Sequence, residues 1–267
     1  MIAYLWLVPV GLVLGTLGTL VGAGGGFLLA PFLLLVYPHE RPETIASISL
    51  AVVFVNALSG TVAYSRMGRV DVRSGLLLSA ATVPGAILGA FTTTLLPRRA
   101  FDLLFAAVLF AGSLLLLWRP HAQSVIGRGR FERRVTERDG TVHEFSYNPW
   151  LAAGVSLVVG FVSSVLGIGG GIIHVPMLTA VLGFPVHIAT ATSHFALAVM
   201  AGTGTLTHVA TGAFHKGVRR TIALGVGVLV GAQLGARWSS RVHGGWILRG
   251  LAAALMLVAL RLALWPS

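Results

Sequence analysis

Long apolar stretches, separated by short turns that carry most of the charges, run along nearly the whole chain. A helix needs roughly 20 mostly apolar residues to cross the hydrocarbon of a bilayer. Eight stretches come close to this length: Ile2–Val21, Thr44–Tyr64, Ser74–Leu96, Ala100–Trp118, Pro149–Leu166, Ile188–His208, Thr221–Ala236 and Trp246–Trp265. Two shorter ones, Gly26–Tyr37 and Gly171–Phe184, follow clusters of glycine. Because the alternating pattern of a membrane barrel is absent, the chain is predicted to be an all-α polytopic membrane protein with five segments in each half.

The two halves of the chain resemble each other. The triplet Gly24-Gly25-Gly26 recurs 145 residues later as Gly169-Gly170-Gly171. The same spacing relates Gly15, Gly22, Gly24, Gly26 and Pro31 to Gly160, Gly167, Gly169, Gly171 and Pro176. We therefore predict two transmembrane repeats, 1–118 and 149–267, joined by a charged linker, 119–148. Because five is an odd number of segments, the second repeat would be inverted relative to the first, as in many secondary transporters.

The first stretch could also be a signal peptide. Ile2–Val21 lacks a basic n-region, however, and its counterpart Pro149–Leu166 lies in the middle of the chain, where no signal peptide can lie. We therefore interpret Ile2–Val21 as a helix of the mature protein.

Composition supports the membrane interpretation and limits the kinds of partner that the chain can have. Hydrophobic residues make up 55% of the chain, charged residues 10%, and the mean hydropathy is +0.87, which a soluble protein could not cover with polar surface. The formal charge of +11 lies mostly at segment ends and in the linker, so the lipid bilayer is the predicted partner and nucleic acid is not. The chain has no Cys, which excludes thiolate metal sites. We expect no cofactor and no metal, and a homo-oligomer stays open.

The linker sets the predicted orientation. Lys and Arg number 12 on its side of the predicted spans and 7 on the other side, which predicts a cytoplasmic linker. Apolar residues among its charges, around Asp139-Gly140, predict a small β-hairpin with a type I′ turn.

The triple-glycine clusters predict helix breaks at membrane depth. Three adjacent glycines would destabilise a continuous helix by about 1 kcal/mol each. At a break, the first N–H groups of the next helix lack partners and lie at the positive end of its dipole, which favours an anion. The pairs Gly85/Gly89 and Gly231/Gly235, at small-xxx-small spacing, predict close helix packing instead.

Polar side chains near the predicted breaks complete the candidate substrate site. No Asp or Glu lies deep in a predicted span, so hydroxyl and amide donors for an oxyanion are favoured over a carboxylate site for a cation. The predicted substrate-binding residues are Gly24, Gly25, Gly26, Ser49, Asn56, Gly169, Gly170, Gly171, His174, Thr192, Ser193 and His194. The repeat relates Ser49 to Ser193, so replacing either hydroxyl is expected to weaken substrate binding to a similar extent. The alternative for each hydroxyl is a bond to its own helix, and for each histidine a neutral packed position.

These motifs resemble the sulfite exporter TauE/SafE family of bacterial and archaeal permeases. The resemblance covers both halves and rests on the two glycine motifs with their prolines, on Ala191-Thr192-Ser193 and on the paired segments that begin at Gly85 and Gly231. It implies export of small sulfur-containing anions, such as sulfite or sulfonates, across the cytoplasmic (inner) membrane of a bacterium or archaeon. Ile48 stands where the family pattern leads us to expect a second hydroxyl beside Ser49.

Two other functions remain open at this point. A passive channel for small solutes would share the glycine breaks. An intramembrane enzyme that uses a histidine would need an Asp or Glu to orient it, and the spans do not supply one. We favour a secondary transporter that works by alternating access, with a small anion as its substrate, and expect no enzymatic activity.

Overall fold

A computed structural model of the protein describes residues 4–117, 129, 131–214, 217–239 and 245–264. The described residues form ten helices and a two-stranded sheet. The first five helices are α1 (Leu7–Val21), α2 (Gly26–Val36), α3 (Pro42–Arg66), α4 (Val72–Leu95) and α5 (Arg98–Leu117). The sheet consists of β1 (Phe131–Thr136) and β2 (Val142–Tyr147), and after it come α6 (Pro149–Leu166), α7 (Gly171–Ala180), α8 (Val186–Ala210), α9 (Val218–Trp238) and α10 (Gly245–Leu264). Each predicted apolar stretch corresponds to one helix, as expected of a polytopic membrane protein.

Four of the described helices are long and apolar enough to cross a membrane by length and composition: α3, α4, α6 and α9. The predicted span Ile2–Val21 is too long, because its helix begins only at Leu7. Its 15 residues extend about 22 Å, short of the roughly 30 Å of hydrocarbon. The ring centroids of Trp6, just before α1, and Phe32 on α2 lie 6.2 Å apart, so the chain turns back after α1 and α2 returns along it. Some ends of the predicted stretches and part of the predicted linker lie outside the described residues, namely Ile2, Trp265, residues 118–128, which include Trp118, and residue 130.

Glycine lets helices of the two halves approach closely. α1 packs along α9, where a Cβ on Gly231 would lie 2.9 Å from the backbone nitrogen of Thr16. α6 packs along α4, where a Cβ on Gly85 would lie 2.8 Å from the backbone nitrogen of Phe161. The predicted close packing at both glycines is therefore confirmed, since no larger residue fits. α3 and α8 pack against each other between these pairs, and α5 packs with α10.

The largest apolar core lies around α2. Phe27 on α2, Phe105 on α5 and Ile168 between α6 and α7 are all fully buried in it. The glycine breaks therefore lie inside protein, which is where irregular backbone is tolerated at membrane depth.

The predicted hairpin is present, but its predicted turn type is wrong. β1 and β2 pair antiparallel from Phe131 opposite Tyr147 to Thr136 opposite Val142. The Glu137 N–H donates to the Thr141 carbonyl at 2.9 Å, which leaves a loop of three residues. A type I′ turn needs positive φ at both central residues, whereas Gly140 has φ +91° and Asp139 does not have a positive φ. A three-residue loop needs one left-handed residue, and Gly140 supplies it.

The hairpin docks where α3 ends and α4 begins. The rings of Phe145 and Tyr147 pack on Phe184, with centroid distances of 4.5 and 4.9 Å. Arg133 Nη2 forms an ion pair with Asp71 Oδ1 at 2.6 Å. Burial raises the pKa of Asp71, but hydrogen bonds from Arg133 and Ser74 and the charge of Arg133 outweigh it, so the pKa lies below its ordinary value.

Charged side chains meet at both ends of α3. Arg69 Nε lies 2.6 Å from Glu137 Oε2 at the hairpin end. At the other end, Arg220 Nη2 lies 3.0 Å from Glu40 Oε1, and Arg98 Nη1 donates to the Glu40 carbonyl at 2.6 Å. The length of α3 thus separates two ionic layers, the distribution expected of a helix that spans a bilayer.

Candidate functional site

Both glycine clusters interrupt the helices as predicted. Gly22 and Gly167 end α1 and α6 in the left-handed conformation. The same region of φ is occupied by Gly24, Gly25, Gly169 and Gly170, at 69°, 79°, 75° and 61°. Residues with a side chain rarely adopt this conformation, so these left-handed positions need glycine.

The two breaks contact each other at the middle of the protein. A Cβ on Gly26 would lie 2.5 Å from Val53 Cγ2 and 2.7 Å from the Ile168 carbonyl oxygen. A Cβ on Gly171 would lie 2.9 Å from the carbonyl carbon of Ala23, and one on Gly169 would lie 2.8 Å from Val53 Cγ1. Val53 lies halfway along the 25 residues of α3. The breaks therefore meet at mid-length of α3.

Each break leads into a helix start at which several N–H groups lack a protein acceptor. The N-caps are Gly25 and Gly170, which offer no side chain. Within the described part of the chain, the N–H groups of Gly25, Gly26, Phe27, Gly170 and Ile172 have no acceptor. Unpartnered N–H groups at the positive end of a helix dipole favour an anion.

Beside the first break, Asn56 and His194 lie in a buried polar cluster with Thr19. Thr19 Oγ1 donates to Asn56 Oδ1 at 3.3 Å, and His194 Nδ1 lies 3.2 Å from the Thr190 carbonyl oxygen. A Cβ on Gly60 would lie 3.1 Å from His194 Nε2 and 3.3 Å from Thr19 Cγ2. Among the described residues, Asn56 Nδ2 and His194 Nε2 have no hydrogen-bond partner, although both side chains are completely buried. Such groups are rare in folded proteins and call for a ligand or another explanation.

Serines lie beside the second break. Ser49 Oγ donates to the Gly167 carbonyl at 2.5 Å and so links α3 to the end of α6. Ser163 Oγ packs against Gly170 and, like Ser164 Oγ, has no partner within the described residues. Both hydroxyls are buried, so this break also has unused donors.

Three predicted site residues form side-chain hydrogen bonds away from the glycine breaks: His174, Ser193 and Thr192. His174 is buried, with Nε2 3.1 Å from Ser156 Oγ and Nδ1 3.5 Å from Ser193 Oγ. Thr192 Oγ1 accepts the Asp71 N–H at 3.1 Å and therefore lies at the start of α4. The structure thus brings the six glycines together with Ser49, Asn56 and His194, while Thr192 faces the hairpin end.

A narrow apolar crevice runs along the first break. Gly24 and Gly25 line it together with Val52 and Val228. It is too narrow to admit a water molecule. A ligand could enter along this crevice only after the helices that line it move apart.

Several buried hydroxyls at the breaks were not predicted from the sequence. They are Thr19, Ser156, Ser163 and Ser164. The spacing of 145 residues relates Thr19 to Ser164, so the repeat offered a signal for these two. Ser156 and Ser163 have Gly11 and Gly18 at the matching positions, so no repeated hydroxyl pointed to them.

Comparison with known proteins identifies the family. The family model described as "Sulfite exporter TauE/SafE" matches residues 7–262. The chain belongs to the sulfite exporter TauE/SafE family. No solved structure matches it.

Relatives of this TauE/SafE protein have membrane-transporter names. It is 29% identical over 267 residues to the probable membrane transporter protein YunE of Bacillus subtilis, covering 97% of each chain. It is also 29% identical over 251 residues to a probable membrane transporter protein of Xylella fastidiosa, covering 93% of this chain and 90% of the relative. The protein is therefore a membrane transporter of the TauE/SafE type.

Proposed function

We propose that this protein is a secondary transporter that exports small sulfur-containing anions, such as sulfite or sulfonates, by alternating access. The observation that carries the proposal is the contact between the two glycine breaks at mid-length of α3. Each break offers N–H groups without protein acceptors, and helix starts of this kind bind anions. The substrate would bind between them.

The side chains at this position suit an anion. Ser49, Asn56 and His194 are neutral or weakly basic and surround the breaks without a carboxylate among the proposed site residues. A buried carboxylate would repel an anion and would be needed for most proton or sodium sites. Hydroxyl and amide groups can donate to the substrate and release it without leaving a buried charge behind.

Alternating access would follow from two inverted halves, which recurrent contacts support. Gly231 lies against Thr16, and Gly85 lies against Phe161. Thr16 and Phe161 are separated by 145 residues and Gly85 and Gly231 by 146. The same packing is therefore built twice, as exchange between two equivalent conformations of inverted repeats requires.

We propose that contacts between the halves at the two ends of α3 act as gates. Arg220 of the second half pairs with Glu40 of the first half at one end. At the other end Thr192 of the second half accepts the Asp71 N–H of the first. With both ends held and the central crevice too narrow for water, the structure corresponds to an occluded state in this proposal.

Location and driving force complete the proposal. The 12 to 7 division of Lys and Arg supports a cytoplasmic linker in the inner membrane of a bacterium or archaeon. With no carboxylate to couple ions at the site, the anion gradient and the membrane potential would drive export. A negative interior favours the exit of one negative charge by roughly 2.3 kcal/mol per 100 mV.

A panel of small ions tests the proposed substrate class. Purified protein would be heated with sulfite, alkanesulfonates, carboxylates, sodium or neutral solutes, and the unfolding temperature measured. A ligand that binds only the folded state raises this temperature with its concentration. We expect stabilisation by sulfite or sulfonates, and stabilisation by a cation or neutral solute alone would contradict the proposal.

A further inference from the structure

The buried polar pair beside the first break does not follow the symmetry of the repeats. Asn56 and His194 lie beside the first break with unpartnered side-chain nitrogens. The repeat spacing of 144 residues places Met200 opposite Asn56 and Leu50 opposite His194. Met200 and Leu50 have only apolar side chains, so the polar pair, which takes one residue from each half, has no counterpart at the repeat-related positions.

The hydrogen bond of His194 determines what its free nitrogen can do. His194 Nδ1 lies 3.2 Å from the Thr190 carbonyl oxygen, so Nδ1 must carry the proton. In a neutral imidazole the other nitrogen, Nε2, is then an acceptor. A charged ring would be buried without a counter-ion, which is strongly unfavourable. His194 Nε2 therefore needs a hydrogen-bond donor.

Asn56 provides the complementary group. Its Oδ1 accepts from Thr19 Oγ1, so this bond leaves the Nδ2 group, which can only donate, unused. Thr19 also lies near His194, because a Cβ on Gly60 would lie 3.3 Å from the Thr19 methyl group and 3.1 Å from His194 Nε2. The cluster thus presents one unused donor and one unused acceptor next to the first break.

We propose that this pair selects anions that carry their own O–H or N–H donor. This inference rests on the proposed function and specifies its substrate class: hydrogensulfite, or a sulfonate with a hydroxyl or amino group. The glycine N–H groups and Asn56 Nδ2 donate to the anionic oxygens. His194 Nε2 accepts from the donor of the substrate. A site built to pair with a substrate hydroxyl discriminates against the analogue that lacks it, because its own acceptor stays unpaired.

Two sulfonates that differ by one hydroxyl test the proposal. Binding of ethanesulfonate and 2-hydroxyethanesulfonate to the purified protein would be measured by concentration-dependent thermal stabilisation. Both are monoanions, so the comparison isolates the donor. We expect the hydroxylated ligand to bind about 5- to 100-fold more tightly to the unaltered protein.

Replacing His194 should remove this preference selectively. In His194→Leu, which introduces the residue found at the repeat-related position, the two ligands should bind within about twofold of each other, since a hydrogen bond accounts for the difference. Ethanesulfonate should keep its affinity. His208→Leu is the matched control, because His208 is also completely buried with both ring nitrogens unpartnered among the described residues. It lies 14 residues further along α8, about 21 Å away, and should leave the preference intact.

A second pair of variants keeps the test valid if His194→Leu does not fold. The amide of Gln can place an acceptor near the Nε2 position, whereas Asn reaches only as far as Nδ1. His194→Gln should therefore retain the preference and His194→Asn should lose it. Asn56→Met should weaken the binding of both sulfonates to the same extent.

The outcomes separate the two proposals. If both sulfonates stabilise the unaltered protein equally, or if the preference survives in His194→Leu and His194→Asn, the selection by His194 is wrong and the anion site stands. If neither sulfonate nor sulfite stabilises the protein, the proposed function fails as well.

Discussion

Placing valine at the glycine breaks tests whether their backbone forms the site. Gly25 and Gly170 have φ values of +79° and +61°, and an L-residue in this region costs about 1–2 kcal/mol. A Cβ on Gly25 would lie 3.0 Å from the Leu14 carbonyl oxygen, and one on Gly170 would lie 2.9 Å from Val159 Cγ1. The added atoms therefore meet protein as well as strain the chain.

The expected loss of efflux follows from the backbone strain. If about 1–2 kcal/mol falls on the binding-competent conformation of the break, its population decreases roughly 5- to 30-fold. We expect Gly25→Val and Gly170→Val each to lower anion efflux from proteoliposomes by at least this factor. Both variants should still insert in the membrane, because most of the helix packing is unchanged.

Gly183→Val is the matched control for strain alone. Gly183 has φ +72°, but a Cβ there would meet nothing within 4 Å. The Gly183→Val variant should lose about as much stability in thermal unfolding as the other two variants, but it should keep most of its anion efflux. Normal efflux by folded Gly25→Val and Gly170→Val would refute the assignment of the site to the breaks.

Three further outcomes are expected. Ser49→Ala should lower the free energy of unfolding by about 0.5–1.5 kcal/mol, and Ser193→Ala should lower it by less. The reason is that Ser49 Oγ donates to the Gly167 carbonyl at 2.5 Å, whereas Ser193 Oγ lies 3.5 Å from His174 Nδ1. Equal losses of stability in thermal unfolding would contradict this. Arg133→Ala should destabilise hairpin docking by about 1.5–3 kcal/mol, seen as faster amide exchange in β1, whereas the mostly exposed Arg134 should tolerate Ala. The pKa of Asp71 is lowered in the folded protein. Its ion pair with Arg133 therefore contributes its full stability above the unfolded pKa of about 3.9, and this stability is lost as the pH falls through the lowered pKa. If amide exchange in the hairpin did not become faster in acid than the intrinsic exchange rate predicts, the ion pair would not stabilise docking.

Helix positions and the glycine breaks could be predicted because each depends on local sequence. An apolar stretch of sufficient length must form a helix in lipid, and three adjacent glycines cannot continue one without a penalty. The end of α1 followed from Gly22, whereas its start at Leu7 did not, because the apolar stretch continues on the N-terminal side without a residue that ends a helix.

The partners of individual side chains could not be predicted from the repeat. Ser49 and Ser193 occupy equivalent positions, yet one donates to the Gly167 carbonyl and the other faces His174. The position that the repeat relates to His174 holds Leu29, which offers no ring nitrogen. The sequence predicts Thr192 at the substrate site, whereas in the structure its hydroxyl accepts the Asp71 N–H at the start of α4. Sequence spacing places residues on helices, while tertiary packing decides which atoms they meet.

The turn of the hairpin shows the same limit. Asp139-Gly140 is typical of a two-residue type I′ turn, but the strand register adds one residue to the loop and leaves only Gly140 left-handed. Register depends on how the hairpin docks, and docking depends on Phe184 and Asp71 from distant parts of the chain.

Counterflow of sulfite in proteoliposomes tests the central claim most directly. Vesicles that contain the purified protein would be preloaded with unlabelled sulfite and diluted into a trace of labelled sulfite. A carrier with one site between two exchanging halves should accumulate the label transiently, with saturation at high sulfite and a rate that depends on membrane voltage. Flux that rises linearly with concentration, without accumulation of the label, would contradict alternating access at the glycine breaks.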